Sequence, residues 1–316
     1  MDTGKYFIHF PFITDKRNRQ KASPIGDLDQ QEESDEMRII SFDSIVEQTK
    51  RMCIEASYNL SDDVVNTFQS ARQTEPSPFG KEILQQLIDN ARIAREEDYP
   101  ICQDTGDAVF FVELGEDVRI EGGGFIDAIN KGVAEGYREG YLRFSMVADP
   151  LRRKNTGDNT PAMVTLQLVP GDKIKLSFLA KGGGCENMSA FKMLTPADGV
   201  KGVKEFVVTT IRNAGGKPCP PLVVGVGLGG TFDQCCMLAK KALLREVGKK
   251  HPDPFYAQLE AELLDDINKL GIGPMGLGGR TTALAVHIET LPCHITSLPV
   301  AVNMDCHAHR QKSAVL

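Results

Sequence analysis

Apolar positions in the first third of the chain recur at helical spacing. Ile45, Met52, Cys53 and Ala56, with Thr49 between them, share one face of a 3.6-residue repeat, and a second stripe runs from Ile83 to Ile93. Ser61 stands where the cap of an intervening helix is expected. Past Pro100 the pattern changes. Residues 108–114 (AVFFVEL) read as a strand and 126–137 as a helix. Residues 164–169 (VTLQLV) and 173–180 (KIKLSFLA) read as strands, and the Pro170-Gly171-Asp172 turn between them predicts a β-hairpin. Helices are predicted at 198–213, 232–248 and 253–270, and strands at 222–228, 282–289 and 295–303. Helix and strand alternate without internal repeats, which predicts a mixed α/β fold: an N-terminal helical region, then a β-sheet-containing domain with surrounding helices. Residues 1–36 are polar and turn acidic (DLDQQEESDE) without sustained periodicity. They read as an extension of low structural content, with Met37 a candidate functional start and residues 37–316 one catalytic domain.

Composition narrows the function classes. At 41% hydrophobic and 25% charged, the 316 residues describe an ordinary globular chain. A formal charge of -7 opposes attraction to phosphate backbones and anionic lipid, so nucleic acid is not an expected partner. No run approaches the roughly eighteen apolar residues a bilayer span needs, and the N-terminus lacks the basic, apolar and small-residue order of a secretory leader. A cytoplasmic protein is expected, and its eight cysteines are too sparse for a disulfide scaffold.

Three of those cysteines fall in loops. Cys102 lies in PICQDTG between a predicted helix and strand, Cys219 in GGKPCPPLV at the entry to a strand, and Cys306 in NMDCHAHR after the last predicted strand. None has a CxxC partner, which argues against a zinc ribbon. Three separated thiolates are what an iron–sulfur cluster with one open iron requires. Cys53, Cys235 and Cys236 fall within helical stripes and are assigned to packing. Cys185 is a candidate reactive thiol, and Cys293 beside His294 a conceivable nucleophile pair. The glycines of Lys181-Gly182-Gly183-Gly184 would let backbone N–H groups converge on a carboxylate, or merely make a flexible turn. Gly225, Gly227 and Gly230 match GxGxxG between strand and helix, but the acidic residue expected about twenty positions on is missing. GIGPMGLGGR (271–280) reads as a tight turn into a strand. Arg143 is a natural carboxylate partner and His294 can orient or protonate a substrate; His307 and His309 are candidate supports behind a ligand.

Taken together, ICQDTG, GYLRFS, KGGGCEN, GKPCPP, VGVGLGGT, GPMGLGGRTTALAVHIE and NMDCHAHR resemble the class I fumarase family of iron–sulfur hydro-lyases. The likeness is closest to the α subunit of two-subunit fumarate hydratase and tartrate dehydratase, and it runs from about Met37 to the C-terminus. It implies a fumarase class I N-terminal-domain fold and a [4Fe–4S] cluster held by Cys102, Cys219 and Cys306. It also implies substrate contacts from Gln103, Asp104, Arg143, Gly184 and His294, with Asp104 and His294 catalytic. The family often has Ser where Cys185 stands. In single-chain relatives the base belongs to a second domain; this sequence ends at Leu316, so a separate β subunit and a hetero-oligomer are expected. The expected reaction is reversible hydration of fumarate to malate, with tartrate dehydration as the alternative. The competing classes are a nucleotide-binding dehydrogenase built on Gly225, Gly227 and Gly230, and an iron or redox sensor.

Overall fold

The computed structural model describes residues 37–316, and the extension expected at 1–36 lies outside the described residues. The chain opens with β1 (Arg38–Ser41), α1 (Phe42–Tyr58), α2 (Asp62–Thr74) and α3 (Pro78–Glu96). It continues through β2 (Asp107–Gly115), β3 (Val118–Glu121), α4 (Phe125–Glu139), β4 (Met163–Val169), β5 (Ile174–Lys181), the one-turn α5 (Gly183–Glu186) and β6 (Ala190–Leu194). There follow α6 (Gly199–Ala214), β7 (Leu222–Gly229), α7 (Phe232–Ala242), α8 (Pro254–Asn268), β8 (Ala283–Leu291), β9 (Leu298–Asp305) and β10 (Gln311–Val315). This is the expected mixed α/β arrangement.

The early helices form where their apolar stripes are continuous. α1 buries Ile45, Thr49, Met52, Cys53 and Ala56, and its first turn is capped by Ser41, whose hydroxyl accepts from Ser44 N at 3.2 Å. α3 starts at a proline, which loses no hydrogen bond in the first turn, and the Ser77 hydroxyl accepts from Gly80 N. Ser61 occupies the cap position of α2, but its side chain makes no cap bond; its carbonyl accepts from Val64 and Val65.

Two four-stranded sheets carry the rest, in the orders β10-β5-β2-β4 and β6-β9-β7-β8, beside a small parallel β1-β3 pair. The predicted hairpin does not form. β4 pairs parallel to β2 and β5 antiparallel to it, so the two strands flank β2 instead of meeting. The run Ala108–Val112 is buried along its whole length and takes the centre, whereas the half-exposed β4 suits an edge. β1, β3, β6 and β10 escape prediction because four or five residues of mixed polarity give no clear period. β10 also means that Cys306 does not follow the final strand. α7 stops at Ala242, short of the expected 248, and turns lead to Gly248 at φ 92°.

One core packs α6 and α8 against β7 and β9, and another packs α1 and α4 against β2 and β5. A third joins α2 and α3 to both sheets through Val109, Phe111, Leu179, Val223 and Leu284, and so forms the seam between them.

The GxGxxG glycines answer to packing. α7 lies so close to β7 that a Cβ on Gly225 would collide with the Ala239 carbonyl, and one on Gly227 with the Cys235 carbonyl. The first turn of α7 is closed by a Thr231–Gln234 capping box. Gly227→Ala is therefore expected to destabilise the fold by about 1–3 kcal/mol of overpacking, read as a lowered urea midpoint with an unchanged slope.

Candidate thiol-lined active site

The two sheets meet at one end, and the chain crosses between them there twice. After β5 the segment 182–189 leads to β6, and after β9 the segment 306–310 leads to β10. Register sets both crossings at the same level: Asp107 at the start of β2 pairs with Lys181 at the end of β5, and Val223 near the start of β7 pairs with Asp305 at the end of β9. Cys102 precedes β2, Cys219 precedes β7 and Cys306 follows β9, so three loops distant in sequence converge on this end.

Each thiol is partly exposed, and their charges act on one another. Burial raises the pKa of Cys219, and Cys306, Cys102 and Asp104 raise it further, as crowded negative charge must. Cys219 also holds a left-handed backbone at φ 55°, strained for a residue with a side chain. Its carbonyl accepts from His307 N at 3.3 Å and from the His307 ring Nδ1 at 3.2 Å, which ties the Cys219 and Cys306 loops together. The GIGPMGLGGR segment braces the Cys219 loop from outside, with Met275 N donating to Pro220 O at 2.7 Å and Gly276 packed on Gly216. The buried Glu75 carboxylate latches that segment by accepting from Arg280 N, Thr281 N and the Thr281 hydroxyl.

Cys185 turns out to be a support. Its thiol donates to Cys306, which favours the Cys306 thiolate and pulls that pKa down against burial, while the pKa of Cys185 itself is driven up. Geometrically the same thiol proton is also within reach of the Pro218 carbonyl, to which Cys185 Sγ donates at 3.4 Å, so Cys306 and Pro218 O compete for it.

The polar residues expected here mostly arrive. Gln103 lies beside Cys102, with its Oε1 3.6 Å from the sulfur. Asp104 accepts from Gly106 N at 3.0 Å and from Gly183 N at 2.9 Å, so one amide of the glycine run is already given to an internal carboxylate. Gly184 is exposed and faces the Cys219 loop, its Cβ position being 3.6 Å from Lys217 O. Arg143 is exposed, and its carbonyl accepts from the Thr105 hydroxyl at 2.9 Å, which anchors its loop to the Cys102–Gly106 segment.

His294 does not arrive. It sits in the turn after β8, at the level where Leu291 pairs with Gly229, and the six strand steps from Val223 to Gly229 span about 20 Å. The turn is exposed there, and the His294 ring engages the Thr296 hydroxyl at 2.8 Å. Cys293 donates to Ser297 O instead of to its neighbour, so the pair makes no dyad. Cys53 and Cys235 are buried as expected, whereas Cys236 is exposed because its position on α7 turns it out of the core.

Sequence reasoning missed the buried charges beneath the site. Lys181 donates to Met304 O at 2.6 Å and to Asp305 at 3.1 Å, and His309 pairs with Asp305 at 2.8 Å. Arg310 donates to the Asp104 carbonyl at 2.5 Å and to Ala180 O at 3.4 Å. All four residues lie inside motifs already noted, and His309 was expected as a support; Lys181 and Arg310 gave no signal because long cations are ordinarily surface residues. A separate cavity of about 540 Å³ lies between β2, β4, α7 and β9. None of the three loop thiols lines it, so chemistry and not concavity marks the site.

Among the described residues no helix is long and apolar enough to cross a membrane, and no group of three or more His, Cys, Asp or Glu side chains converges on a single-ion site. The family model described as fumarate hydratase (Fumerase) matches residues 46–315. The protein named "Putative L(+)-tartrate dehydratase subunit alpha" from Methanocaldococcus jannaschii is 46% identical over 263 residues, covering 81% of this chain and 92% of its own. L(+)-tartrate dehydratase subunit alpha of Escherichia coli K12 is 36% identical over 259 residues, covering 81% of this chain and 85% of its own. A match that spans both sheets, all three loop cysteines and the glycine run places the chain in the fumarate hydratase family.

Proposed function

We propose that residues 37–316 form one catalytic domain, the α-type subunit of a hydro-lyase that hydrates fumarate reversibly to malate, with Cys102, Cys219 and Cys306 holding a [4Fe–4S] cluster. The observation that carries this reading is the convergence of three thiols, from three loops, beside Asp104 and the glycine run. The donor set fits the group: it is all soft sulfur, it is partly exposed, and its mutual repulsion calls for a cation among the thiolates. Ligands of a cube bind separate irons, so they stand wider apart than the ligands of one ion. When bound, the cluster supplies an open iron acting as a Lewis acid towards substrate oxygens.

The protein residues then bind and orient a dicarboxylate. Gly183 N–H is committed to Asp104, so the next amide, Gly184, is the one assigned to a substrate carboxylate. Arg143 is placed to pair with a carboxylate, and Gln103 to fix the substrate hydroxyl beside Cys102. Asp104, oriented by two backbone donors, is assigned to holding a proton at its carboxylate during exchange with the hydroxyl. His294 can serve the same substrate only from another copy of the chain, because its own fold holds it at the far end of the sheet. The relatives are named as alpha subunits, which supports a β subunit supplying the base and further cationic anchors. A reducing cytoplasm keeps such thiolates available.

The test is anaerobic co-expression with a β subunit, reconstitution with iron and sulfide, and turnover of fumarate and L-tartrate. Malate formation is expected. The names of the relatives support the second reading, and turnover of tartrate alone would replace fumarate with it. A cluster-loaded complex inert towards both substrates would leave the sensor reading in place.

A further inference from the structure

We propose that Arg310 is a positioning and charge-compensating residue for the group held by Cys102, Cys219 and Cys306; the inference rests on the cluster reading above. Arg310 is 2% exposed. Its guanidinium makes two hydrogen bonds, both to backbone carbonyls, Asp104 O and Ala180 O, and its Nε has no partner among the described residues. The Asp104 carboxylate lies across Gly182 from the guanidinium, its oxygens accepting from Gly106 N and Gly183 N, and no direct ion pair joins the two among the described residues. The neighbouring buried cation is different in kind: Lys181 is neutralised by Asp305 at 3.1 Å.

A buried guanidinium that cannot lose its proton is costly unless an anion lies close by. Carbonyl dipoles soften that cost without cancelling the charge. Arg310 follows Cys306 in the same inter-sheet crossing. Its other hand holds the peptide of Asp104, next to the Cys102 loop. One side chain thus fixes two of the three thiol loops and places a permanent positive charge behind them. Three thiolates on a [4Fe–4S]²⁺ core leave a net negative charge, a further counter-ion for Arg310 beside the Asp104 carboxylate.

The test uses the full chain, reconstituted anaerobically, as wild type, Arg310→Gln and Arg310→Lys. Iron and sulfide are counted per chain, and the cluster's one-electron midpoint potential is followed by electron paramagnetic resonance. Removing the cation makes an added electron harder to hold, so Arg310→Gln is expected to shift the potential negative and to retain less iron, with Arg310→Lys close to wild type. Equal potentials in wild type and Arg310→Gln overturn the role. If Arg310→Gln fails to fold or to load, Arg310→Lys decides: a wild-type potential supports compensation by charge, and a negative shift overturns it. A wild-type chain that assembles no cluster sinks the cluster reading and this inference with it, whereas a loaded wild type matched by Arg310→Gln overturns only the inference.

Discussion

Replacing Cys219 with serine is expected to remove the iron–sulfur absorbance and bring hydro-lyase activity to the assay floor, and Cys102→Ser and Cys306→Ser are expected to do the same. The argument is one of ligand number. Three partly exposed loop thiols share this end of the two sheets, with the buried Cys185 behind Cys306, so loss of any one of the three leaves two loops to hold the group. Serine is close in size to cysteine but stays protonated at neutral pH and is a poor soft-metal donor. The strained backbone at Cys219 and the two His307 bonds to its carbonyl remain, so the fold should persist. Cys185→Ser is the contrasting variant. Its hydroxyl can still donate to Cys306, and it should keep both chromophore and activity. Retention of an intact cluster by any of the three ligand variants, seen by absorbance and iron count, would refute the assignment.

Lys181→Met is expected to cost about 3–5 kcal/mol of stability, because it strands the Asp305 carboxylate in the interior. Lys181 Nζ is 1% exposed as a side chain and joins Met304 O, Asp305 and, at 3.7 Å, Glu186. The pair also sets an acid limit. Burial alone would raise the Asp305 pKa, but Lys181 and then His309 outweigh it and hold it at about 2, below the ordinary 3.8. A carboxylate depressed in the folded state stabilises above its unfolded pKa and loses that contribution as pH falls through the folded one. The stabilising contribution, on the order of 2 kcal/mol, is therefore complete above about pH 4 and fades towards pH 2. Urea unfolding at pH 7 and pH 3 checks both points: wild type should weaken between the two, and the Met variant should be weak already at pH 7. A Met variant as stable as wild type at pH 7 would contradict the account.

Long stripes were legible in the sequence because their signal is local. α1, α3 and α4 fall where the 3.6 repeat falls, and β2, β5 and β7 where apolar runs stand between turns. Pairing was not legible. Pro170-Gly171-Asp172 looks like a hairpin turn, yet β2, fifty residues upstream on the page of the sequence, claims both strands because it needs cover on both edges. That three loop cysteines converge was legible by residue type and setting. The end of the sheet that carries His294 was not legible, since its motif says nothing about it. Lys181, Asp305 and Arg310 were hidden by their chemistry: their burial depends on contacts with residues more than a hundred positions away.

Cys306 packs at once against the core of the second sheet and against the seam that joins the sheets. A group held by its sulfur would sit against both halves of the molecule. Loading is therefore expected to raise resistance to heat and to protease together, which a thermal melt of loaded and unloaded chain would check.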